Sequence, residues 1–151
     1  MKAADVSDGG PIVSHFQLRV FGLAFRCAME VFELSERWSA EERYSLTSQI
    51  RKASRSVCSN ISEAWRKRRY VPHFVSKLSD ADGESAETQT WLKFARECGY
   101  LAEEDCARLD SDYDIICGSL VKMMNSPQPW CGPASVRYEE ALYQALPDDS
   151  P

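Results

Sequence analysis

The sequence has only two histidines, no C-x-x-C pair among its six cysteines, and no long apolar run. Each absence removes a class of chemistry. A di-iron helical bundle needs Glu-x-x-His motifs on two helices, and neither His15 nor His73 has a glutamate at that spacing. Zinc is equally unsupported, so no metal and no cofactor is expected. The cysteines at 27, 58, 98, 106, 117 and 131 fall mostly inside apolar helical stripes, which fits buried free thiols in a reducing cytoplasm. The opening MKAADVSDGGP carries one lysine, two aspartates and no apolar h-region, and nothing later approaches the roughly 20 apolar residues of a membrane span. A cytoplasmic location away from membranes is the expectation.

Positive charge is scarce overall. The net charge of −5 and the pI near 5.1 exclude a protein whose whole surface grips nucleic acid by counterion release, so any polyanion site must be local. The charges are segregated in a way that allows one. Arg51, Lys52, Arg55, Arg66, Lys67, Arg68 and Arg69 supply seven of the 18 basic residues, with only Glu63 opposing them in that stretch. Residues 80–114, by contrast, hold eleven Asp/Glu and three Lys/Arg. Such asymmetry reads either as a functional patch or as two solvated helix faces that attract each other.

What is present is helical periodicity. A length of 151 residues with 44% apolar content suits one domain with tails. Residues 1–14 hold Gly9-Gly10-Pro11 and lack periodicity, so they read as a flexible arm ending in an N-cap at Ser14. The bundle is expected over 15–125. In its first helix Phe16, Val20, Leu23, Cys27, Val31 and Leu34 form one apolar stripe, and Leu18, Phe21, Phe25 and Phe32 form a second beside it. Two greasy stripes exceed what one core buries, which points to a homo-oligomer interface at Leu18, Phe21, Phe25 and Phe32, or else to a tail covering that side.

Ser39 and Glu42 have capping-box spacing and place the start of the second helix near Ala40. It can run to about Arg68, with Leu46, Ile50, Ala53, Val57, Ile61 and Ala64 inward. If it is continuous, Arg51, Arg55, Arg66 and Arg69 share an outward arc of roughly 60°. Pro72 opens a third helix with the stripe Phe74, Leu78, Ala81, Ser85, Thr88, Leu92 and Ala95, closed by Gly99. The fourth, begun by Glu103, Glu104 and Asp105, carries Cys106, Leu109, Tyr113, Ile116, Leu120 and Met124. Short links force antiparallel neighbours, so the fold class is all-α, an up-down-up-down four-helix bundle. Residues 126–151 form a Pro-rich linker or strap, with a short docking helix or a frayed tail at 135–146.

The run Ser48-Gln49-Ile50-Arg51-Lys52-Ala53-Ser54-Arg55-Ser56-Val57, followed by Ser59-Asn60-Ile61-Ser62-Glu63-Ala64, resembles the hallmark of the four-helix bundle family encoded in intervening sequences of bacterial 23S ribosomal RNA genes. Phe74, Leu78, Ala81, Gly83 and Glu87 resemble its third-helix pattern, and Gly99-Tyr100-Leu101 resembles the turn after it. The similarity spans roughly residues 16–124. Similar members include the accessory variability proteins of diversity-generating retroelements, pentameric barrels that bind nucleic acid and associate with a reverse transcriptase. The resemblance therefore implies a homo-oligomer, a pentamer, that assists an RNA or DNA complex, with Arg51, Lys52 and Arg55 as phosphate contacts and Arg66, Lys67, Arg68 and Arg69 extending them. Two features depart from the pattern. This chain is acidic where the accessory proteins are basic, and Ala64 stands where a glycine is usual.

Further groups remain to be placed. Gln49, Ser56, Asn60 and Glu63 recur at helical spacing beside the apolar stripe, facing the bundle interior or a subunit boundary, and read as a structural polar network that sets helix register. Arg68 and His73 resemble the Arg-x4-6-His element of HEPN-type ribonucleases, although Pro72 interrupts the helix between them. Trp65 either stacks on an unpaired base or packs against a neighbouring helix. The leading expectation is a non-enzymatic accessory protein binding nucleic acid or a ribonucleoprotein. The alternatives are a pure protein scaffold and, behind it, the ribonuclease.

Overall fold

Wherever the 3.6-residue apolar repeat runs unbroken, the chain is helical. The computed structural model describes residues 10–131 and contains four helices, α1 (Arg19–Ser35), α2 (Leu46–Arg66), α3 (Val71–Glu97) and α4 (Glu103–Asn125). Residues 1–9 of the arm and the short helix expected at 135–146 lie outside the described residues. Each helix packs on its chain neighbours and α1 closes the ring on α4, while the diagonal pairs stay apart. With links as short as 67–70 and 98–102 between them, successive helices run up and down, as expected.

The central pair follows its sequence pattern residue for residue. Leu46, Ile50, Ala53, Val57, Ile61 and Ala64 of α2 are buried, as are Phe74, Leu78, Ala81, Ser85, Thr88, Leu92 and Ala95 of α3. Each large apolar side chain taken fully out of water contributes about 1.5–3 kcal/mol. Two hydroxyls sit in this dry interior without penalty, because each bonds back along its own helix. Ser85 Oγ donates to the Ala81 carbonyl (2.9 Å) and Thr88 Oγ1 to the Glu84 carbonyl (2.8 Å). In α4 the inward set is Cys106, Leu109, Tyr113, Ile116, Leu120 and Met123. Met124, expected inside, is half-buried, because the last turn presents Met123 to Val20 and Trp130.

Helix ends depart from expectation more than helix middles. Ser14 is a cap, but of a 3-10 turn (His15–Gln17): Phe16 N donates to Ser14 Oγ, and Gln17 Oε1 accepts from the Val13 and Ser14 amides. Leu18 is extended, so the register breaks before α1 begins and Phe16 is left exposed, off the inner stripe. Ser39 likewise caps only a 3-10 turn (Ala40–Glu42), accepting from Glu41 N at 3.3 Å. The second helix starts at Leu46, not Ala40. Glu42 reaches forward to start it, accepting from Ser45 Oγ (2.6 Å) and Leu46 N (3.2 Å). At its other end α2 stops at Arg66, before the expected Arg68.

Residues 126–131, the described start of the expected linker or strap, form a turn, and the rest of that segment lies outside the described residues. Pro127 and Cys131 are buried, and the amides of Trp130 and Cys131 both donate to the Pro127 carbonyl. All six cysteines are free thiols: Cys27, Cys106 and Cys131 are buried, and Cys98 is exposed. Burial pushes the Cys27 thiol up to about 12 and Cys58 up to about 11, which keeps both protonated and unreactive. No helix of the described residues is long and apolar enough to cross a membrane.

The α3–α4 corner depends on one backbone conformation. Gly99 has φ +77°, the Gly99 amide bonds the Arg96 carbonyl (3.0 Å), and the Tyr100 amide bonds the Ala95 carbonyl (2.9 Å). This pair of bonds satisfies the last carbonyls of α3 and turns Tyr100 onto the Trp38 ring, 6.2 Å between centroids. A Cβ at Gly99 would meet no atom within 4 Å, so the cost of adding one is conformational alone. Gly99→Ala is expected to lower the free energy of unfolding by about 1–2 kcal/mol, measured by urea denaturation followed by circular dichroism.

Candidate functional site

The basic residues of α2 are arranged by where the helix begins. Because Glu42 starts α2 at Leu46, Arg43 and Tyr44 precede the helix and project from its N-terminal end. They open a surface groove of about 580 Å³ that continues along α2 past Arg51, Lys52 and Arg55. Thr47, Ser48, Ser56 and Ser59 add hydroxyls to its walls. Side chains four residues apart on one helix are separated by about 6 Å, so cations and hydroxyls alternate along the groove at a regular step. Among the described residues, no ion pair engages Arg43, Arg51, Lys52 or Arg55.

Arg51 and Arg55 play different parts. Arg51 is half-buried and turned toward α1, where Nε donates to Ser35 Oγ (2.8 Å) and Nη2 to the Phe32 carbonyl (3.4 Å). Its guanidinium also lies over the Phe32 ring at 4.7 Å, and that of Arg55 at 5.9 Å. Arg51 thus satisfies carbonyl and hydroxyl oxygens at the end of α1 and joins the two helices, while Arg55 stays exposed to solvent. Phe32, expected at an oligomer interface, is half-buried as the ring beneath two cations.

The remaining basic residues do not continue this row. Arg66 and Lys67 stand at the far end of α2, about 16 Å along the axis from Arg55. Arg69 lies beyond the end of the helix, so the shared arc with Arg51, which required continuity, is broken. Arg68 is buried, at 3% exposure, with its guanidinium 3.8 Å over the Trp65 ring and Nη1 donating to the Trp65 carbonyl (2.7 Å). It is therefore removed from the outward set. Trp65, itself buried, packs inside the bundle. The Arg68–His73 pairing also fails as a surface arrangement, since His73 is exposed in the first turn of α3 against Tyr70.

Of the two places expected for the polar network, the bundle interior is excluded. The inner arc of α2 centres on Ile50, Val57 and Ile61, which puts Gln49, Ser56, Asn60 and Glu63 on its flank and not in the interior. Gln49 is exposed, and Asn60 Nδ2 donates to the Ser56 carbonyl of its own helix (2.9 Å). Glu63 is exposed and pairs with Lys77 of α3 at 2.8 Å. The Lys77 hydrogen bond and charge hold its carboxyl below the usual range. On the same side Glu84 of α3 is pushed up by burial, with Glu87 and Asp80 raising it further and the Lys52 charge opposing. The cationic groove is consequently bordered by carboxylates toward α3.

Of the expected interface residues, Leu18 and Phe21 are already buried within the chain, which corrects that assignment for both. Phe25 remains exposed at 53%, beside Phe16 at 69% and Met29 at 43%. The rings of Phe16, Phe21 and Phe25 follow one another at 5.4 and 6.1 Å, with the buried Phe21 ring between the two exposed ones. Among the described residues no group of three or more His, Cys, Asp or Glu side chains is gathered where it could hold a metal ion.

Sequence reading missed Arg43 and Tyr44. With a helix running from Ala40, Arg43 stands seven residues before Ile50 and falls on the core face, where no arginine would be read as a ligand contact. Only the break at Ser45, with φ −119° and ψ −103°, sends both residues outward. The available signal was the Glu42-x-x-Ser45 spacing, a second possible cap that competes with Ser39.

Residues 17–122 match the family model described as 23S rRNA-intervening sequence protein. The fold is similar to a crystal structure of a protein of unknown function from the S23 ribosomal protein family of Bacteroides thetaiotaomicron VPI-5482. The two share 23% identity with a TM-score of 0.64, over 71% of this chain and 96% of that one. No curated protein matches the chain.

Two substitutions separate the roles of neighbouring arginines. Arg51→Ala removes the donor to Ser35 and Phe32 and is expected to destabilise the protein by about 1–3 kcal/mol, whereas Arg55→Ala stays within about 0.5 kcal/mol, both by urea denaturation. A second test concerns pH. The hydroxyl of Ser45 and the amide of Leu46 hold the Glu42 carboxyl below its ordinary value of 4.5. Its stabilising contribution is thus complete above that value and is lost as pH falls through the lowered one. Thermal melts across this acid range should show a smaller pH dependence for Glu42→Gln than for the unsubstituted protein.

Proposed function

The chain belongs to the 23S rRNA-intervening sequence protein family, and from that premise we propose that it is a non-enzymatic accessory protein that binds nucleic acid, or a ribonucleoprotein, through the α2 groove. The observation that carries this reading is the row Arg43, Lys52 and Arg55. These are cations of one groove, interleaved with serine and threonine hydroxyls, and no carboxylate of the described residues pairs with them. Guanidinium, ammonium and hydroxyl groups at a helical step are the donors that phosphate oxygens take. The acidic balance of the whole chain does not conflict with this, because screening over about 10 Å leaves local charge to decide what binds locally. Arg66, Lys67 and Arg69 form a second, separate basic cluster that a longer polyanion would reach. With Arg68 buried, the reading assigns no catalytic role to Arg68 and His73.

A pure protein scaffold is the second reading, favoured by the exposed Phe16 of the 3-10 turn and Phe25 and Met29 of α1. An apolar strip of this kind supports self-association, which the accessory reading also includes: the pentamer and reverse-transcriptase partner implied by the resemblance belong to that first proposal. The readings part over a single variant. Arg43→Ala/Lys52→Ala/Arg55→Ala should weaken binding to labelled RNA in fluorescence anisotropy and lower the slope of log affinity against log salt by about three, one for each cation removed. Unchanged affinity would refute the groove as a binding site. In the scaffold reading, where these cations meet the acidic residues 80–114 of a neighbouring copy, the same variant instead dissociates the assembly at low salt, which light scattering would register as a fall in mass.

A further inference from the structure

The groove carries one side chain that phosphate chemistry alone does not use. Tyr44 is 88% exposed, the most exposed of the large apolar side chains among the described residues. Among the described residues it takes part in no ring contact. Its backbone nevertheless stands between two hydrogen-bonded structures, the Ser39-capped turn and the start of α2 that Glu42 secures through Ser45 and Leu46. An aromatic ring held in water at the mouth of a cationic groove is a surface for another flat ring. Resting on the nucleic-acid reading above, we propose that the groove takes an unpaired strand, one of whose bases stacks on Tyr44 while its phosphates follow Arg43, Lys52 and Arg55.

Two physical features favour a single strand over a duplex. The first is access: a base offers its face to a side chain only where it is unpaired or unstacked, and every base has such a face, so the contact tolerates any sequence. The second is width. The cationic strip is one helix wide, about 10 Å. On its α3 side stands Glu84, near enough for its carboxyl to feel the Lys52 charge, with Asp80 one turn before it. A duplex lays two rows of phosphates across its partner, and the second row would meet these carboxylates. A lone strand needs only the one row.

The test uses the full chain and a labelled, unstructured RNA of about 12 nucleotides, free or annealed to its complement, with affinity read by fluorescence anisotropy. The free strand is expected to bind at least about tenfold more tightly than the duplex, and Tyr44→Ala to weaken the free strand by about 5- to 100-fold while leaving the duplex unchanged. Tyr44→Phe, which keeps the ring, should retain the free-strand affinity. Tyr44→Trp places an indole at the same exposed position, and stacking should quench its fluorescence as strand is added. The inference is overturned if the duplex binds as well as the free strand, if Tyr44→Ala leaves free-strand affinity intact, or if that variant changes the mass in light scattering, which would assign Tyr44 to self-association. In each of these cases a loss of affinity in the Arg43→Ala/Lys52→Ala/Arg55→Ala variant still upholds the basic groove. Absence of binding to either RNA form by the unsubstituted protein would remove the groove reading along with it.

Discussion

Glu42 accepts hydrogen bonds from both Ser45 Oγ and Leu46 N, and the geometry of the candidate site depends on that double acceptance. A helix must satisfy its first free amides, and a carboxylate there also favours the positive end of the helix dipole. By meeting this need at Leu46, Glu42 takes Arg43 and Tyr44 out of the helical register that would have turned Arg43 toward Ile50. Everything the groove offers at its open end follows from one carboxylate.

The same region shows how an acidic protein can hold a basic surface. Lys77 pairs with Glu63 and Asp80, and Arg108 pairs with Glu30 and Asp105, so these four carboxylates are engaged by cations outside the groove. Arg51 serves the fold by joining the α1 terminus to α2, and its guanidinium shares the Phe32 ring with that of Arg55. Structural and candidate binding functions are interleaved on one helix face, four residues apart.

Legibility varied with how far a residue stands from an uninterrupted periodic stretch. The inner faces of α2 and α3 were readable because both are long, and the few small polar residues inside them bond to their own backbone, so nothing in tertiary packing overrides the pattern. The outer stripe of α1 divided, since Leu18 and Phe21 next to the register break fold inward while Phe25 does not. Gln49, Ser56, Asn60 and Glu63 have the spacing of an interior network but sit one flank away from it. That is a rotation of a few tens of degrees, which spacing alone does not resolve. Arg68 was grouped with its neighbours in sequence, yet the end of α2 at Arg66 turns it under Trp65.

By itself, then, the order of residues determined that four amphipathic helices would form and which side chains would meet in their shared core. It also determined that basic residues would gather on α2, because periodicity and composition act locally. Tertiary structure alone decided which of those cations face outward, which one joins α1 to α2, and which one is buried. The reason is that a helix end is a competition. Several side chains near Ser39 and Ser45 could cap the same amides, and the winner is the one whose geometry also lets the core close, a condition set by partners distant in the chain.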